Sequence, residues 1–294
     1  MLKNYDLKPN LVIPGFPKSG TSSLYDYLGQ HPDIFASYRK EPHVYTFKDR
    51  YEKRFKNENF AYSFQKFYNK FNGQKYLMDA STTYMISNNA LKRLKKDTPE
   101  AKFIVIARDP IERIFSHYNW LRMLNYDLMV FEKEIIEDEK NRFNPNSNIK
   151  GNYKSYIQFS EYGKQLLNLY DIFDTSQVFV VTLEKLNKDF NGVISSMFSF
   201  LELPSIEIKK GVKNKTFREK RVDRLKLPTK LKILEKRFQN NFISNTVIFQ
   251  KKLKPKKFTV KHEEFIFNLL KEDIKLLKNN NLFFNEWKTV NKYI

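Results

Sequence analysis

Short apolar runs separated by longer stretches of helical period dominate the chain. The runs at 10–14, 75–78, 102–107 and 177–182 are of strand length, and turn-forming residues bound each of them. Between them, apolar positions recur at helix spacing over 21–30, 60–71, 86–96, 110–124, 128–140, 160–172 and 189–201. Buried strands alternating with helices predict an α/β fold, a central parallel sheet flanked by helices. Segment 141–152 (NRFNPNSNIKGN) is polar, contains Pro145 and Gly151, and reads as an exposed loop. Residues 205–258 are irregular and basic, broken by Pro228 and Pro255. A last helix is predicted over 261–279, its start marked by Thr259 or Lys261 and by Glu263 and Glu264 in the first turn. No repeat or linker is visible, so 1–294 reads as a single domain. Within it, 205–258 is a basic loop region and 259–294 the C-terminal helix and tail.

Composition narrows the classes. Hydrophobic residues make up 41% of the 294 and aromatics 16%, enough for a substantial core. With no cysteine there is neither a disulfide framework nor a thiolate metal site. The four histidines (31, 43, 117, 262) are too scattered for zinc, and no metal is expected. No apolar stretch reaches the ~18 residues of a membrane span. The first strand begins about ten residues from Met1, leaving no room for a signal peptide ahead of it. Together these features predict a cytoplasmic protein. The net charge of +20 is concentrated, with 18 Lys/Arg against three acids (Glu219, Asp223, Glu235) in 209–257. Such a field favours anionic partners: a nucleotide, a polyanion, or a membrane surface in peripheral contact.

The richest stretch is 11–28, LVIPGFPKSGTSSLYDYL. An apolar run enters a loop with Gly15, Pro17 and Gly20, and a helix opened by hydroxyls follows. Free N–H groups at a helix start favour an anion, and a glycine lets backbone approach a phosphate closely. The loop is P-loop-like without being the nucleotide-triphosphate signature. That signature sets its lysine between a glycine and the Ser/Thr; here Lys18 precedes Gly20.

A second anchor lies at 102–123, KFIVIARDPIERIFSHYNWLRM. A buried strand ends in Arg108, Asp109 is placed to cap the next helix, and Pro110 suits its first turn. Arg108 lies where open α/β sheets place ligands, and its guanidinium is a natural fork for phosphate. Ser116 lies about 11–12 Å further along by helix rise, so both can face one cleft. The alternative is that Arg108 pairs with Asp109 or Glu112 and Ser116 is merely exposed.

The order PKSGT followed by Ser-Ser-Leu resembles the 5′-phosphosulfate loop of sulfotransferases that use 3′-phosphoadenosine 5′-phosphosulfate (PAPS). Strand–Arg-Asp-Pro–helix, with a serine eight positions after the arginine, resembles the 3′-phosphate element of the same family. The resemblance implies that Lys18, Ser19, Gly20, Thr21, Ser22 and Ser23 hold the 5′-phosphosulfate while Arg108 and Ser116 hold the 3′-phosphate. It implies PAPS as sulfate donor and 3′-phosphoadenosine 5′-phosphate (PAP) as product. Residues 78–84 (MDASTTY), 178–186 (VFVVTLEKL) with Phe200 and Leu201, and 263–287 ending in Trp287 are similar to further family segments. The matches span nearly the whole chain.

Lys40-Glu41-Pro42-His43 resembles the segment in the polysaccharide-modifying, heparan-sulfate-like branch of the family, which includes bacterial members. There the glutamate acts as base and the histidine assists. Glu41 is the first choice for the base and His43 the second, with Lys18 stabilising charge on the departing phosphate. The alternative for Glu41 is a surface pair with Arg39 or Lys40. Some glycosaminoglycan enzymes of the family carry a lysine after the acidic residue of the second-strand motif; this chain has Ala80. The basic loop 209–224 is a candidate lid, with Lys220 and Arg221 as contributors to the 3′-phosphate. The resemblance implies an acceptor hydroxyl or amino group, on a glycan or glycolipid. Two rivals remain: a P-loop-type kinase, which would need a magnesium-holding acid where Arg108 stands, and a nucleic-acid binder using the basic stripe. No nucleic-acid-binding motif supports the second.

Overall fold

The computed structural model describes residues 7–56, 60–124, 128–141, 155–211, 222–224, 250–252 and 255–294. Five strands form one parallel sheet: β1 (Leu11–Val12), β2 (Ile34–Ala36), β3 (Tyr76–Asp79), β4 (Lys102–Ala107) and β5 (Val178–Thr182). Their order is β2-β3-β1-β4-β5. Leu11 is paired with Met78 on one side and Lys102 on the other, and Phe103 to Ala107 run alongside Val178 to Thr182. The expected α/β architecture is thus the observed one.

Strand β4 shows why the layers form. Residues 103–107 are fully buried, and successive side chains face opposite sides of the sheet. Phe103, Val105 and Ala107 join one apolar layer, and Ile104 and Ile106 the other. The first layer is covered by α4 (Asn88–Asp97), α5 (Pro110–Met123), α7 (Tyr162–Ile172) and the final helix, α10 (Val260–Asn279). The second is covered by α1 (Thr21–Leu28), α8 (Leu183–Lys188) and α9 (Phe190–Phe200). Shorter helices α2 (Lys48–Glu52) and α3 (Phe64–Phe67) follow β2, and α6 (Phe131–Asn141) follows α5. Trp287 is fully buried against Tyr162, Phe283 and Phe284, so the C-terminal segment closes the first layer.

Several boundaries differ from the sequence reading. The helix expected over 60–71 shrinks to the four residues of α3, because tertiary contacts rather than helix propensity hold this aromatic stretch: Phe64 and Tyr68 sit in the core beside Tyr45 and Phe35. The single helix expected over 189–201 is preceded by a separate α8, and Asp189 caps α9 by accepting from Gly192 N–H. Strand β2 has no counterpart in the sequence reading. The exposed loop expected over 141–152 falls, after Asn141, outside the described residues.

The ends of the basic region are tied to the helices that matter most. Gln30, just past α1, exchanges two hydrogen bonds with the backbone of Lys209, at 3.2 and 3.0 Å, and Tyr27 donates to the Gly211 carbonyl at 3.0 Å. At the other end Asn119 of α5 exchanges two with the backbone of Lys256, at 3.2 and 2.9 Å. Phe258 stacks on Phe115 with ring centroids 3.9 Å apart. Between these anchors, 222–224 and 250–252 pair as antiparallel strands β6 and β7. No helix among the described residues is long and apolar enough to cross a membrane.

Candidate active site

The site forms at the carboxyl ends of β1, β3 and β4, where β1 stands between strands that lead away in opposite directions along the sheet. The loop leaving β1 bends sharply. Ser19 N–H donates to the Phe16 carbonyl at 3.1 Å, and Lys18 (φ 70°) and Gly20 (φ 97°) are both left-handed. Glycine is required at 20 on two counts: its φ, and Leu183 Cδ1, which would lie 2.9 Å from a Cβ. Gly20 opens α1, and no side chain caps that helix. Its first N–H groups stay available to an anion.

Cations crowd this loop. Burial, then the Arg108 guanidinium and then that of Arg113, lower the Lys18 ammonium to about 8. Its Nζ stands 5.1 Å from the centre of the Trp120 ring. Arg108 leaves β4 and reaches the Lys18 carbonyl at 3.5 Å. It also makes the alternative contact foreseen for it, 3.5 Å to Glu112 Oε2, a half-exposed pair of modest energetic weight. Asp109 caps α5 as expected, accepting from Ile111 and Glu112 N–H, with Pro110 in the first turn. Arg108 and Ser116 line one cavity of about 380 Å³ together with Phe115, Asn119, Phe258 and the acidic Glu112 and Glu263.

Arg113 was not singled out from the sequence. It is wholly buried, and among the described residues it hydrogen bonds to Ser160 Oγ at 2.5 Å, the Tyr156 carbonyl at 2.5 Å, the Pro17 carbonyl at 3.3 Å and His117 Nδ1 at 3.3 Å. It therefore fixes the loop through Pro17 and adds a buried positive charge beneath it. Its sequence signal is a lone cation among the apolar positions Ile111, Ile114 and Phe115 of α5.

The carboxylate half stands beside the loop. Glu41 Oε1 accepts from Lys40 Nζ at 2.5 Å, and Lys40 Nζ also reaches Thr21 Oγ1 at 3.4 Å. Glu41 Oε2 lies 3.4 Å from His43 Nε2 and accepts from the Thr82 hydroxyl at 3.0 Å. Burial pushes the Glu41 carboxyl up, but His43 and Lys40 together outweigh it and hold the group at about 2. His43 is itself left-handed (φ 52°); its N–H donates to Ser81 Oγ at 2.9 Å and its Nδ1 lies 2.8 Å from Thr83 Oγ1. Beneath them Asp79, fully buried and raised to about 6 chiefly by that burial, accepts from the hydroxyls of Ser81 (2.6 Å) and Tyr84 (2.7 Å). The segment 79–84 thus props the Glu41–His43 pair from below. The Lys40 carbonyl accepts from Ala80 N–H at 3.2 Å, which sets Lys40 beside position 80. On the solvent side, Arg50 stacks 3.9 Å from the Tyr62 ring and donates to the Pro42 carbonyl at 2.8 Å.

The structure therefore brings together Lys18, Gly20, Thr21 and Glu41 with His43 on one side of the loop, and Arg108 with Ser116 on the other. Ser22 and Ser23 lie half-buried in the first turn of α1. The Ser19 side chain is wholly buried beside the Tyr162 hydroxyl, without a hydrogen bond of normal geometry, so this residue offers a ligand its backbone alone. Lys220 and Arg221, expected in a lid, lie outside the described residues. Lys40 and Arg113 are the additions. Among the described residues no group of three or more acids and histidines could hold a metal.

A parallel sheet with a cation-crowded loop after β1 and an arginine at the end of β4 defines an α/β protein whose candidate site suits an anion. The sulfotransferase domain family matches over residues 8–278, and the chain belongs to that family. Human heparan sulfate glucosamine 3-O-sulfotransferase 3B1 is 30% identical over 198 residues, covering 67% of this chain and 47% of that protein. The chain spans about half the length of that relative. Among solved structures, a sulfotransferase from Alicyclobacillus acidocaldarius matches with a TM-score of 0.67 at 21% identity, covering 96% of this chain and 99% of that one. Mouse sulfotransferase SULT7A1 complexed with PAP matches at 0.52 and 14% identity, covering 97% and 88%. At such identities the likeness is one of fold.

Proposed function

We propose that this chain transfers a sulfuryl group from PAPS to a hydroxyl or amino group of a carbohydrate acceptor, on a glycan or glycolipid. The observation that carries this reading is the junction of its two halves: a carboxylate held between Lys40 and His43, joined through Lys40 to the hydroxyl of Thr21 at the start of α1. The residues present fit such a donor. The start of α1 is uncapped, Lys18 is crowded by guanidinium groups that an anion would relieve, and Arg108 shares a cavity with Ser116. The heparan sulfate relative supports a carbohydrate acceptor, and the PAP complex of the mouse structure supports the nucleotide. A kinase is disfavoured, because Arg108 stands where a magnesium-binding acid is needed.

The donor supplies a sulfuryl group already joined to a phosphate leaving group. Glu41 takes the acceptor proton as the acceptor oxygen or nitrogen bonds to sulfur. Lys18 neutralises the bridging oxygen that keeps the electron pair when its bond to sulfur breaks. The main chain of 19–23 with Thr21 and Ser22 holds the 5′-phosphate oxygens, and Arg108 with Ser116 holds the 3′-phosphate. His43 keeps the Glu41 carboxylate in place. By analogy with phosphoryl transfer, positioning and electrostatics carry most of the acceleration.

The test is a transfer screen with radiolabelled PAPS over glycans, lipids and small alcohols, followed by three variants. Lys18→Ala and Glu41→Ala are expected to lose at least about 10²-fold in turnover. Glu41→Ala should keep its affinity for PAP, and Arg108→Ala should chiefly lose it. Near-normal rates in all three would reject the assignment.

A further inference from the structure

The reading above gives Lys40 no work with the donor, yet its side chain joins the two halves of the site. Its ammonium has three N–H groups. One is committed to Glu41 Oε1 at 2.5 Å and a second makes a long contact, 3.4 Å, to Thr21 Oγ1. The side chain is only 21% exposed, so water screens these contacts little.

In-line transfer puts the acceptor oxygen, the sulfur and the bridging oxygen on one line. If Glu41 lies at the acceptor end and Thr21 at the phosphate end, the transferring group passes between them. That interval is where Lys40 Nζ stands. Resting on the functional reading above, we infer that Lys40 is a donor-binding residue that grips the sulfuryl oxygens, exchanging the Glu41 carboxylate for them when the sulfated nucleotide enters. PAP, which has no sulfuryl group, leaves Lys40 on Glu41. The exchange gives the pairing a purpose. A carboxylate held at about 2 is a poor base, and withdrawing the Lys40 ammonium raises its basicity only when there is a group to transfer. With product bound, the base returns to its quiet state.

The experiment is calorimetric titration of the full chain, without acceptor, with PAPS and with PAP. Lys40→Met is expected to weaken PAPS about tenfold, the loss of a charge-assisted hydrogen bond, while changing PAP by less than about twofold. Lys40→Arg should recover most of the PAPS affinity. Should Lys40→Met melt early, Lys40→Gln is the second neutral variant, and the same selective loss is expected of it. Equal weakening of both ligands, or of neither, overturns the assignment. The pair is repeated in a Glu41→Gln background, where no carboxylate is left to repel the donor. A selective loss that persists there supports direct contact, and one that vanishes shows Lys40 was only screening Glu41. If the unaltered chain binds neither nucleotide, the donor reading fails and Lys40 with it. If it binds both and Lys40→Met does not discriminate, the Lys40 assignment fails alone.

Discussion

Among the described residues four non-glycines have positive φ, and two of them, Lys18 and His43, belong to the site. Side chains adopt that region at a cost of about 1–3 kcal/mol, which the surroundings must sustain. Lys18 also yields a pH prediction. Its ligand-free value of about 8 lies below the ordinary 10.5, and a bound anion raises it, so binding takes up a proton only above about pH 8. PAP affinity should therefore fall as pH rises through 8 to 10, and Lys18→Met should bind more weakly with that decline removed. Titrations at several pH values check this; an unchanged slope in Lys18→Met would refute it. At this scale the sequence was informative wherever the chemistry is contiguous. Lys18, Gly20 and Thr21 sit in one loop, and Glu41 and His43 in one tetrapeptide. Arg113 was not legible, because its partners at Pro17, Tyr156 and Ser160 are 96, 43 and 47 positions away. Lys40 was read only as a rival partner for Glu41, since its second contact, Thr21, is 19 positions back and reached by folding alone.

Element boundaries were readable where a capping residue announces them. Asp109-Pro110 set the start of α5, and Thr259 the start of α10. They failed where an element is too short to show a period, as in the three residues of β2 and the four of α3. Asp109 does more than cap. Its Oδ1 takes Ile111 and Glu112 N–H, its Oδ2 takes Thr289 and Val290 N–H at 2.8 and 3.1 Å, and its own N–H donates to Glu184 at 3.0 Å. Three segments therefore meet at the residue after Arg108. Asp109→Ala leaves four N–H groups without their acceptor, three of them on the buried Ile111, Thr289 and Val290. The expected loss is about 3 kcal/mol in urea unfolding, at or above the upper end for a helix cap alone. PAP affinity should weaken with it as the Arg108 corner loosens. A loss under about 1 kcal/mol would show the tie to Thr289 and Val290 to be slack.

For the whole molecule the governing quantity is the net charge of +20. A field of that size steers multivalent anions over distances set by the Debye length, about 30 Å at 0.01 M salt and 3 Å at 1 M. The association rate of PAP, read by stopped flow, should fall steeply with salt while the dissociation rate changes less. A rate indifferent to salt would mean that the basic residues lie outside the approach path. The parallel sheet was predictable from four of its five strands, each a compact apolar run. The order of those strands was not, since register depends on pairings that no local pattern records.

That order has a consequence in time. Strand β1 is two residues long, and its neighbours are β3 and β4, made dozens of residues later. During synthesis the loop after β1 therefore emerges first, and its hydrogen bond from Phe16 N–H to the Ile106 carbonyl waits until β4 is made. Its completion is a late, non-local event of the kind that slows folding. A fragment ending ahead of β4 would carry the motif intact and hold no nucleotide.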